Sequence, residues 1–445
     1  MCCSKRNFIY LFCGLMLALN IQMLQAKLGN KIIFIPEDDL KKHGFDVPDG
    51  RFGYDCMAES DNLVIFWERS FGKEPAVNMD ESKRFYPNEI LSEGERYYRY
   101  FVDKLKFVQK GKSYTDKYKM IIWMYDDNEK TVYGGAHDNV GMTWFRPCRI
   151  NGYPYCTLAH ELGHSFQFMV EADGGKGFPG TTLYEYTSQW MLWQVHPDWV
   201  TIENYHLNNY MKQTHYTLFH KTNQYCAPQF MEYWSYKHGL PVIGRMWSEA
   251  LKEEDPVSTY MRITKTSQDL FNEEIYDAAT RFVTWDLPRI KSVCSSYANE
   301  HRCKLKKMGN GWYQITKEYC PQSYGYNAIR LKVPKGGTVI DLTFEGMAGN
   351  EGFYSENKAY AGWRYGFVAM QKNGKRVYSK MNRAVNSVNQ TVNFIVPDDT
   401  QFLWLVVTGA PDKHTKYHQK MEQVAEWPYP VSYTHLRAHE TDQYL

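Results

Sequence analysis

The chain has 445 residues, of which 43% are hydrophobic, 16% aromatic and 23% charged. This length and hydrophobic content predict two domains, each with a core of its own. The 52 basic and 50 acidic residues leave a net charge of +2 and are evenly spread. The sequence contains no stripe of basic residues that could follow a phosphate backbone, which argues against a nucleic-acid partner.

The N-terminus has the pattern of a signal peptide from Met1 to Ala26. Lys5 and Arg6 precede an apolar stretch from Phe8 to Leu19, and Ala26 suits a cleavage site. The apolar stretch is too short to span a membrane. Cys13 lacks the small preceding residue of a lipoprotein site. We therefore expect a secreted or periplasmic protein with no membrane span in the mature chain.

The cysteines that follow the signal peptide stand at positions 56, 148, 156, 226, 294, 303 and 320. Export favours disulfides, and Cys148–Cys156 and Cys294–Cys303 are the nearest neighbours in sequence. The odd number leaves at least one thiol unpaired. No CxxC spacing indicates a zinc site made of cysteines.

The first half of the chain has a mixed α/β pattern. Leu63–Trp67 and Met120–Met124 are short apolar runs rich in β-formers, which predict strands of a sheet. Ile90–Val108 between them is an amphipathic helix whose apolar face is formed by Leu91, Tyr98, Phe101, Leu105 and Val108. Gly141–Phe145 is either an edge strand or one arm of an ordinary hairpin.

The stretch from Thr157 to His164 (TLAHELGH) contains an HExxH sequence. On an α-helix, residues i and i+4 lie one above the other, so His160 and His164 can bind one metal ion. Glu161 is rotated about 100° from His160, which suits a base acting on metal-bound water. The pattern therefore predicts a zinc site.

The surroundings of this motif predict a buried helix from Cys156 to Val170. Thr157 is its expected N-cap, and Gly174 with Gly175 ends it. Apolar residues recur along it at spacings of three and four, at Leu158, Leu162, Phe166 and Met169. Such a helix lies at a site that is closed off from water, which favours a metal site over a chance match.

A catalytic zinc needs a third protein ligand and one open position. The HExxHxxGxxH pattern fails here, because Val170 stands at the third histidine and Gln167 at the glycine. Glu171 also fails, since a continuing helix would carry it about 10 Å along the axis from His164. Zinc–ligand bonds are only about 2 Å long.

Glu185 is the remaining candidate for this ligand. It follows a glycine-rich break at residues 174–180 and begins a second helix, for which Thr181 or Thr182 is the expected cap. A loop and a returning antiparallel helix can bring Glu185 beside the two histidines. We therefore predict Glu185 as the third zinc ligand.

This arrangement resembles the gluzincins, zinc metallopeptidases with HExxH and a glutamate on a following helix. The similarity covers residues from about 119 to 240. It implies a zincin-like domain in which His160, His164 and Glu185 bind Zn²⁺ and Glu161 is the general base. It also implies that a Tyr or His from a later segment stabilises the oxyanion.

Two finer resemblances concern the same helices. AHELGHSFQ and LYEYTSQWM are similar to a family of secreted bacterial proteins, common in gut Bacteroidota, whose substrates are unassigned. Gly163, His164 and Gln167 also match the HExGHxxQ helix of enhancin-like, mucin-degrading peptidases. In zinc peptidases an edge strand above the metal pairs with extended substrate, which is the role that Gly141–Phe145 would take.

The candidates for the oxyanion-stabilising residue are His206, His215, His220 and Tyr225. Tyr225 is preferred because it stands just before Pro228–Gly239. The aromatic spacing of that segment predicts a buried helix packed behind the site.

Alternating strands dominate after about residue 305. They include Ile329–Val333, Ile340–Phe344, 392–396 and 402–407, and Asn373-Gly374 predicts a hairpin turn. Regularly spaced strands without helices indicate a β-sandwich. Such modules bind glycan or dock on a catalytic domain. Trp363 or Tyr365 could stack on a sugar, but packing in the core is the favoured interpretation.

The last fifteen residues, VSYTHLRAHETDQYL, resemble translated adapter sequence and are assigned no fold or function. The predicted organisation is a signal peptide at 1–26, an α+β zincin-like catalytic domain at 27–304 with a mixed sheet and active-site helices, an all-β sandwich at 305–427, and a tail at 428–445.

The expected activity is zinc-dependent hydrolysis of peptide bonds in extracellular protein or glycoprotein, with Glu161 as the base. One alternative is a non-catalytic surface factor that binds glycan or protein and uses zinc only to hold its fold. Glu161 argues against it, because a structural site has no use for a base. Hydrolysis of a non-peptide amide or ester stays open, since the same chemistry serves any carbonyl.

Overall fold

The computed structural model describes residues 31–78, 80–150, 152–178, 181–355, 358–417 and 423–434. The predicted signal peptide lies outside these residues. The chain divides into two compact units on either side of the Gly177–Phe178 bond. The predicted domain boundary between residues 304 and 305 stays a prediction. Among the described residues, no helix combines the length and apolar character that a bilayer span requires.

The first unit contains one five-stranded sheet and its helices. Its helices are α1 (Glu37–His43), α2 (Pro87–Asp103), α3 (Pro147–Ile150) and α4 (Cys156–Ala172). Its strands are β1 (Met57–Glu59), β2 (Leu63–Trp67), β3 (Met120–Met124), β4 (Tyr133–His137) and β5 (Val140–Phe145). The two strands predicted at Leu63–Trp67 and Met120–Met124 are confirmed, and the helix predicted at Ile90–Val108 begins and ends earlier.

The sheet has the strand order β1-β2-β3-β5-β4. Strands β2, β3 and β5 are parallel, whereas β1 and β4 are antiparallel to their neighbours. Every residue of β2, β3 and β5 is buried. Continuous apolar strands of this kind are typical of a parallel sheet that is covered on both faces.

Helices cover one face of this sheet. Helix α2 packs on β2 at Gly94, where a Cβ would lie 2.5 Å from a methyl carbon of Leu63. Helix α4 is tied to β5 by the Ser165 hydroxyl, which donates to the Met142 carbonyl at 2.7 Å. On the other face, apolar residues of the 31–52 segment, including Ile35, Phe45 and Phe52, pack in one cluster with Trp123 and Trp144 of the strands.

The edge strands of this sheet are Met57–Glu59 and Tyr133–His137, so the prediction of an edge strand at Gly141–Phe145 is wrong. Val140–Phe145 lies inside the sheet, between β3 and β4. It is the second arm of a hairpin whose turn residues, Asp138 and Asn139, both have positive φ. The alternative interpretation of this segment as a hairpin arm is confirmed.

The second unit begins with helices and continues with strands. The helices are α5 (Thr181–Val195), α6 (Trp199–Ile202), α7 (Tyr205–Tyr210), α8 (Gln229–His238), α9 (Val242–Ser248), α10 (Pro256–Thr264) and α11 (Gln268–Phe282). The strands are β6 (Leu305–Gly309), β7 (Trp312–Ile315), β8 (Tyr326–Leu331), β9 (Val339–Glu345), β10 (Gly362–Gln371), β11 (Arg376–Tyr378), β12 (Asn382–Val385), β13 (Asn389–Ile395), β14 (Thr400–Gly409) and β15 (Pro430–Tyr433).

These strands form two antiparallel sheets that share one core. One sheet has the order β11-β10-β14-β8, with β12 also paired to β10, and the other has the order β13-β9-β15-β7-β6. Their inner faces meet in a single apolar cluster, in which the rings of Phe344 and Tyr365 stack 4.4 Å apart. Trp363 and Tyr365 are both 0% exposed. Core packing is therefore confirmed for these two residues, and a sugar-stacking role for them is wrong.

Helix α11 covers the outer face of the sheet that contains β10 and β14. The buried Arg364 guanidinium donates to the Asp269 carboxylate at 2.7 Å, and the Trp404 indole donates to the Asn299 side chain at 2.9 Å. Because both faces are covered, β10 and β14 are buried along most of their length and show no alternation.

The assignment of no fold to the residues from 431 onward is wrong for the first of them. Strand β15 lies between β9 and β7, and Val431 packs in the core of the sandwich. Tyr429 is also fully buried. The segment that includes His435, His439 and Glu440 lies outside the described residues.

The two predicted disulfides are not present. Cys148 is an exposed free thiol, and Cys294 is a buried one. Burial raises the pKa of Cys294 to about 12. Cys303 instead donates from its thiol to the Ala328 carbonyl at 3.3 Å.

Candidate metal centre

Helix α4, which carries the HExxH sequence, forms as predicted and is two residues longer. Its apolar positions Leu158, Leu162, Phe166 and Met169 are all buried. The prediction of Thr157 as its cap is wrong. The N-cap is Tyr155, which has a left-handed conformation with φ 58° and makes no capping hydrogen bond from its side chain. Its hydroxyl donates to Glu89 on helix α2 at 3.0 Å instead.

The two histidines of the motif face each other across one turn of this helix. The Nε2 atoms of His160 and His164 lie 3.1 Å apart, and their rings are nearly perpendicular, at 88°. Two ligand atoms on a tetrahedral zinc with bonds of about 2.0–2.1 Å are about 3.4 Å apart. The separation of the two nitrogens therefore fits a shared metal ion.

Gln167 holds the ring of His164 in place, a role that was not predicted from the sequence. The side-chain oxygen of Gln167 lies 3.1 Å from Nδ1 of His164. If Nδ1 carries the proton and donates it to this oxygen, Nε2 keeps its lone pair for a metal. The signal was available in the sequence, because a residue three positions after a helical ligand lies on the same face.

Glu185 was predicted as the third ligand, and this role stays a prediction. It lies in the first half of α5, and one ligand atom from each of His160, His164 and Glu185 lies within 4.8 Å of the others. Two imidazoles and one carboxylate form the donor set of a catalytic zinc site, which leaves a fourth position open.

Glu161 lies on the neighbouring side of α4 and is buried, with 5% of its surface exposed. The edge strand β4 passes directly over this part of the helix. A Cβ on Gly134 would lie 1.9 Å from the Glu161 carbonyl oxygen and 3.0 Å from the His164 Cβ. Only glycine permits this approach, so Gly134 sets the distance between the strand and the motif.

Glu171, which was excluded as a ligand on its distance along the helix, and the nearby Asp173 both lie elsewhere. The Glu171 carboxylate lies beside Gly177, because a Cβ at that glycine would come within 2.4 Å of it. Asp173 accepts a hydrogen bond from the Tyr114 amide at 2.9 Å. Neither belongs to the cluster of His160 and His164 among the described residues.

Tyr225 is held beside the helix that carries Glu185. Gln189 lies one helical turn after Glu185, and its side chain donates to the Tyr225 carbonyl at 3.2 Å. The Tyr225 side chain is 40% exposed. Its role as the oxyanion donor stays a prediction.

The three histidine candidates for the oxyanion role have other surroundings. His206 Nδ1 lies 3.7 Å from the buried Cys226 thiol. Burial lowers the pKa of His215 and of His220 to about 4, so both are neutral near pH 7. His220 Nδ1 also accepts the Thr222 amide at 3.2 Å. These contacts favour structural roles.

A partly buried ion pair, which no sequence pattern predicted, braces the C-terminal end of α5. Arg289 donates to the Trp193 carbonyl at 2.8 Å and makes two hydrogen bonds, of 2.8 and 2.7 Å, to the Glu232 carboxylate. Glu232 lies on the predicted helix, confirmed at Gln229–His238, and accepts from Gln194 of α5 at 2.8 Å. The cation thus caps one carbonyl, that of Trp193, near the end of the helix that carries Glu185.

The model of a family of unknown function (DUF6055) matches residues 25–439 of this chain. The comparison with curated proteins finds no match.

Several solved structures are similar to parts of the chain. Tripeptidyl peptidase 2 is 12% identical over 28% of this chain and 10% of its own, with a TM-score of 0.19. The CBM22-1–GH10 modules of Clostridium thermocellum endo-1,4-β-D-xylanase 10B are 8% identical over 31% of this chain and 25% of their own, with a TM-score of 0.20. The Yersinia pseudotuberculosis-derived mitogen is 7% identical over 32% of this chain and 94% of its own, with a TM-score of 0.19. Likenesses this low carry no argument about function.

Proposed function

Because the chain belongs to the DUF6055 family, whose function is unknown, we propose its function from the site itself: a secreted zinc-dependent endopeptidase of extracellular protein or glycoprotein. The observation that carries the proposal is the convergence of His160, His164 and Glu185 within 4.8 Å. Two imidazoles, one carboxylate and an open fourth position are the donor set of hydrolytic zinc enzymes.

Each residue near the cluster has a separate chemical task. A zinc ion bound there would act as a Lewis acid on a water molecule and on the scissile carbonyl. Glu161 takes the proton from the attacking water and later delivers it to the leaving amine. Gln167 fixes the His164 ring so that the same nitrogen always faces the site. Tyr225 is the candidate donor to the oxyanion.

The edge strand β4 supports an extended peptide as the substrate. One side of Tyr133–His137 pairs with β5, and the other side is the edge of the sheet. An extended peptide can add to such an edge through main-chain hydrogen bonds. Because Gly134 brings the strand against Glu161 and His164, a peptide that paired there would run beside the metal site.

The first test measures zinc in the purified mature protein. We expect about one zinc ion per chain by elemental analysis, and loss of that zinc in the His160→Ala/His164→Ala double variant. Full zinc content in the double variant would end the proposal of a zinc site.

The second test separates a peptidase from a protein that only binds zinc. Glu161→Gln should keep zinc and fold but lose nearly all hydrolysis, because an amide cannot accept the proton. Glu171→Gln, on the same helix, is the matched control and should hydrolyse normally. The readout is a cleavage profile of a peptide library and a mucin glycoprotein, with and without a chelator. Bound zinc without any chelator-sensitive cleavage would favour the alternative of a glycan- or protein-binding surface factor.

A further inference from the structure

A cavity of about 380 Å³ opens in the second unit beside the sandwich core, to which its lining residue Trp427 belongs. Its walls come from the segments around Tyr354 and Tyr360, from the Lys413–Tyr417 segment, and from the residues before Trp427. Its volume lies within the range of about 300–1,000 Å³ that is usual for small-molecule sites. No residue of the proposed metal centre contributes to it.

The floor of the cavity is buried and fixed by hydrogen bonds. Trp427 is 2% exposed, and its indole donates to the Ser323 hydroxyl at 3.2 Å. Thr217 is also buried, and its amide donates to the Gln322 side chain at 2.9 Å. A floor tied in this way exists before any ligand arrives, so binding has little ordering to oppose it.

Tyrosine rings form much of the wall. The Tyr417 hydroxyl accepts the Lys221 amide at 3.4 Å, and its ring lies 5.7 Å from the His220 ring at an angle of 30°. Tyr354 stands at the rim with 37% of its surface exposed. Ring faces offer flat apolar surface to the C–H groups of a sugar. The hydroxyls of Thr217 and Ser323 can pair with its hydroxyl groups.

The charge of the wall has one sign. Among the described residues that line the cavity there are two lysines and no carboxylate. The Lys416 ammonium donates to the Glu253 carbonyl. The Lys413 ammonium lies 5.5 Å from the centre of the Tyr360 ring and has no carboxylate in ion-pair contact in the described part of the chain. A cation placed over an aromatic wall favours an anionic group on the ligand.

We propose that this cavity binds an acidic monosaccharide unit of a glycan, a pyranose that carries a carboxylate or a sulfate. The tyrosine wall stacks on the ring of the sugar, the hydroxyls of the floor pair with its hydroxyl groups, and Lys413 pairs with its acidic group. The site does not depend on the proposed peptidase activity, because the two share no residue.

The test uses the full mature chain and three probes, namely glucuronic acid, glucose 6-sulfate and glucose, with binding followed by ligand-observed NMR. We expect glucuronic acid or glucose 6-sulfate, whichever carries the acidic group that the cavity prefers, to bind at least about tenfold more tightly than glucose. Lys413→Gln should remove that difference. Lys372→Gln is the matched control, since this exposed lysine follows the far end of β10, about 30 Å of strand from Gly362.

Each outcome decides the proposal. Equal binding of all three sugars with no effect of Lys413→Gln would overturn the acidic-sugar assignment, and so would the absence of binding by any probe. Inorganic sulfate that competes as well as glucose 6-sulfate would show an anion site that does not recognise sugar. The His160→Ala/His164→Ala variant should bind the sugar normally, so a failure of the zinc proposal leaves this result intact.

Discussion

Gly134 is the residue whose replacement tests most directly how β4 and the motif helix fit together. A Cβ at this position would lie 1.9 Å from the Glu161 carbonyl oxygen, whereas real Cβ contacts stay above about 3.0 Å. The obstacle is main chain and cannot rotate away. In Gly134→Ala the strand and the helix must therefore separate by about 1 Å at the point where Glu161 and His164 are held.

The loss of stability in Gly134→Ala can be judged against the same substitution at the neighbouring Gly135. Overpacking of this kind costs about 1–3 kcal/mol, and the loss of glycine freedom in the unfolded chain returns about 0.4–1 kcal/mol. Gly135→Ala keeps only the gain, because its Cβ would meet Trp144 at 3.6 Å and Phe168 at 3.8 Å, which are ordinary contacts. Because both variants share this gain, they should differ by the overpacking cost alone, about 1–3 kcal/mol, or about 2–12 °C in melting midpoint.

Thermal denaturation of the two variants, followed by near-UV circular dichroism, measures this difference. Gly134→Ala should also lose peptide hydrolysis, because the shift displaces Glu161, whereas Gly135→Ala should keep it. Equal midpoints for the two alanine variants would refute the close approach of strand and helix. A stable Gly134→Ala protein with normal hydrolysis would refute the link between this contact and the position of the base.

Three further predictions concern single residues. Glu185→Ala should weaken zinc binding by at least about 100-fold, because the four protein ligands of a structural zinc site together contribute about 10–16 kcal/mol, or about 3 kcal/mol each. Glu171→Ala should bind zinc normally. Equal affinities of the two variants in a chelator competition would contradict the ligand assignment. Gln167→Ala should lower zinc affinity by about 10–100-fold, and Gln167→Glu, which keeps an acceptor for His164, should restore most of it in the same assay. Burial lowers the pKa of His301 to about 3, so below about pH 6.5 this histidine is protonated in the unfolded chain but stays neutral in the folded one. The free energy of unfolding should therefore fall as the pH falls from about 6.5 towards 3. His301→Phe should reduce this pH dependence in melting curves, and an unchanged slope would contradict the assignment.

Strong local patterns predicted the elements that they belong to. Leu63–Trp67 and Met120–Met124 are uninterrupted apolar runs, and the structure places both as buried parallel strands with those bounds. The helix at Cys156–Ala172 followed from residues repeating at three and four positions. In these cases the burial pattern within one short segment already specifies the element.

Two strands whose own residues show no clear strand pattern were not predicted. The edge strand Tyr133–His137 contains two glycines, which disfavour a strand, and it exists because it pairs with β5 and lies over the motif helix. Strand β15, at Pro430–Tyr433, is four residues long and lies between β9 and β7, which are far from it in sequence. Strand β15 carries no local signal for these partners.

Some residues of the candidate site could likewise be predicted from local patterns, and others could not. His160 and His164 are set by spacing within one helix, and Glu185 followed from the length of that helix and the glycines after it. Arg289 and Glu232 could not be found, because their pairing joins positions far apart in the chain that have no shared pattern. Gln167 could have been found from its helical spacing to His164.

The contacts around the motif helix support the HExxH sequence as a functional site more strongly than the sequence pattern alone does. His160 and His164 share one face, Glu161 lies under β4, and Ser165 donates to the Met142 carbonyl of β5. Successive residues of this helix thus have separate roles, and each of them contacts a different part of the structure. A chance HExxH would need no glycine on the strand above it. Gly134 therefore ties the motif to the sheet, and its replacement should disturb the base before it disturbs the metal ligands.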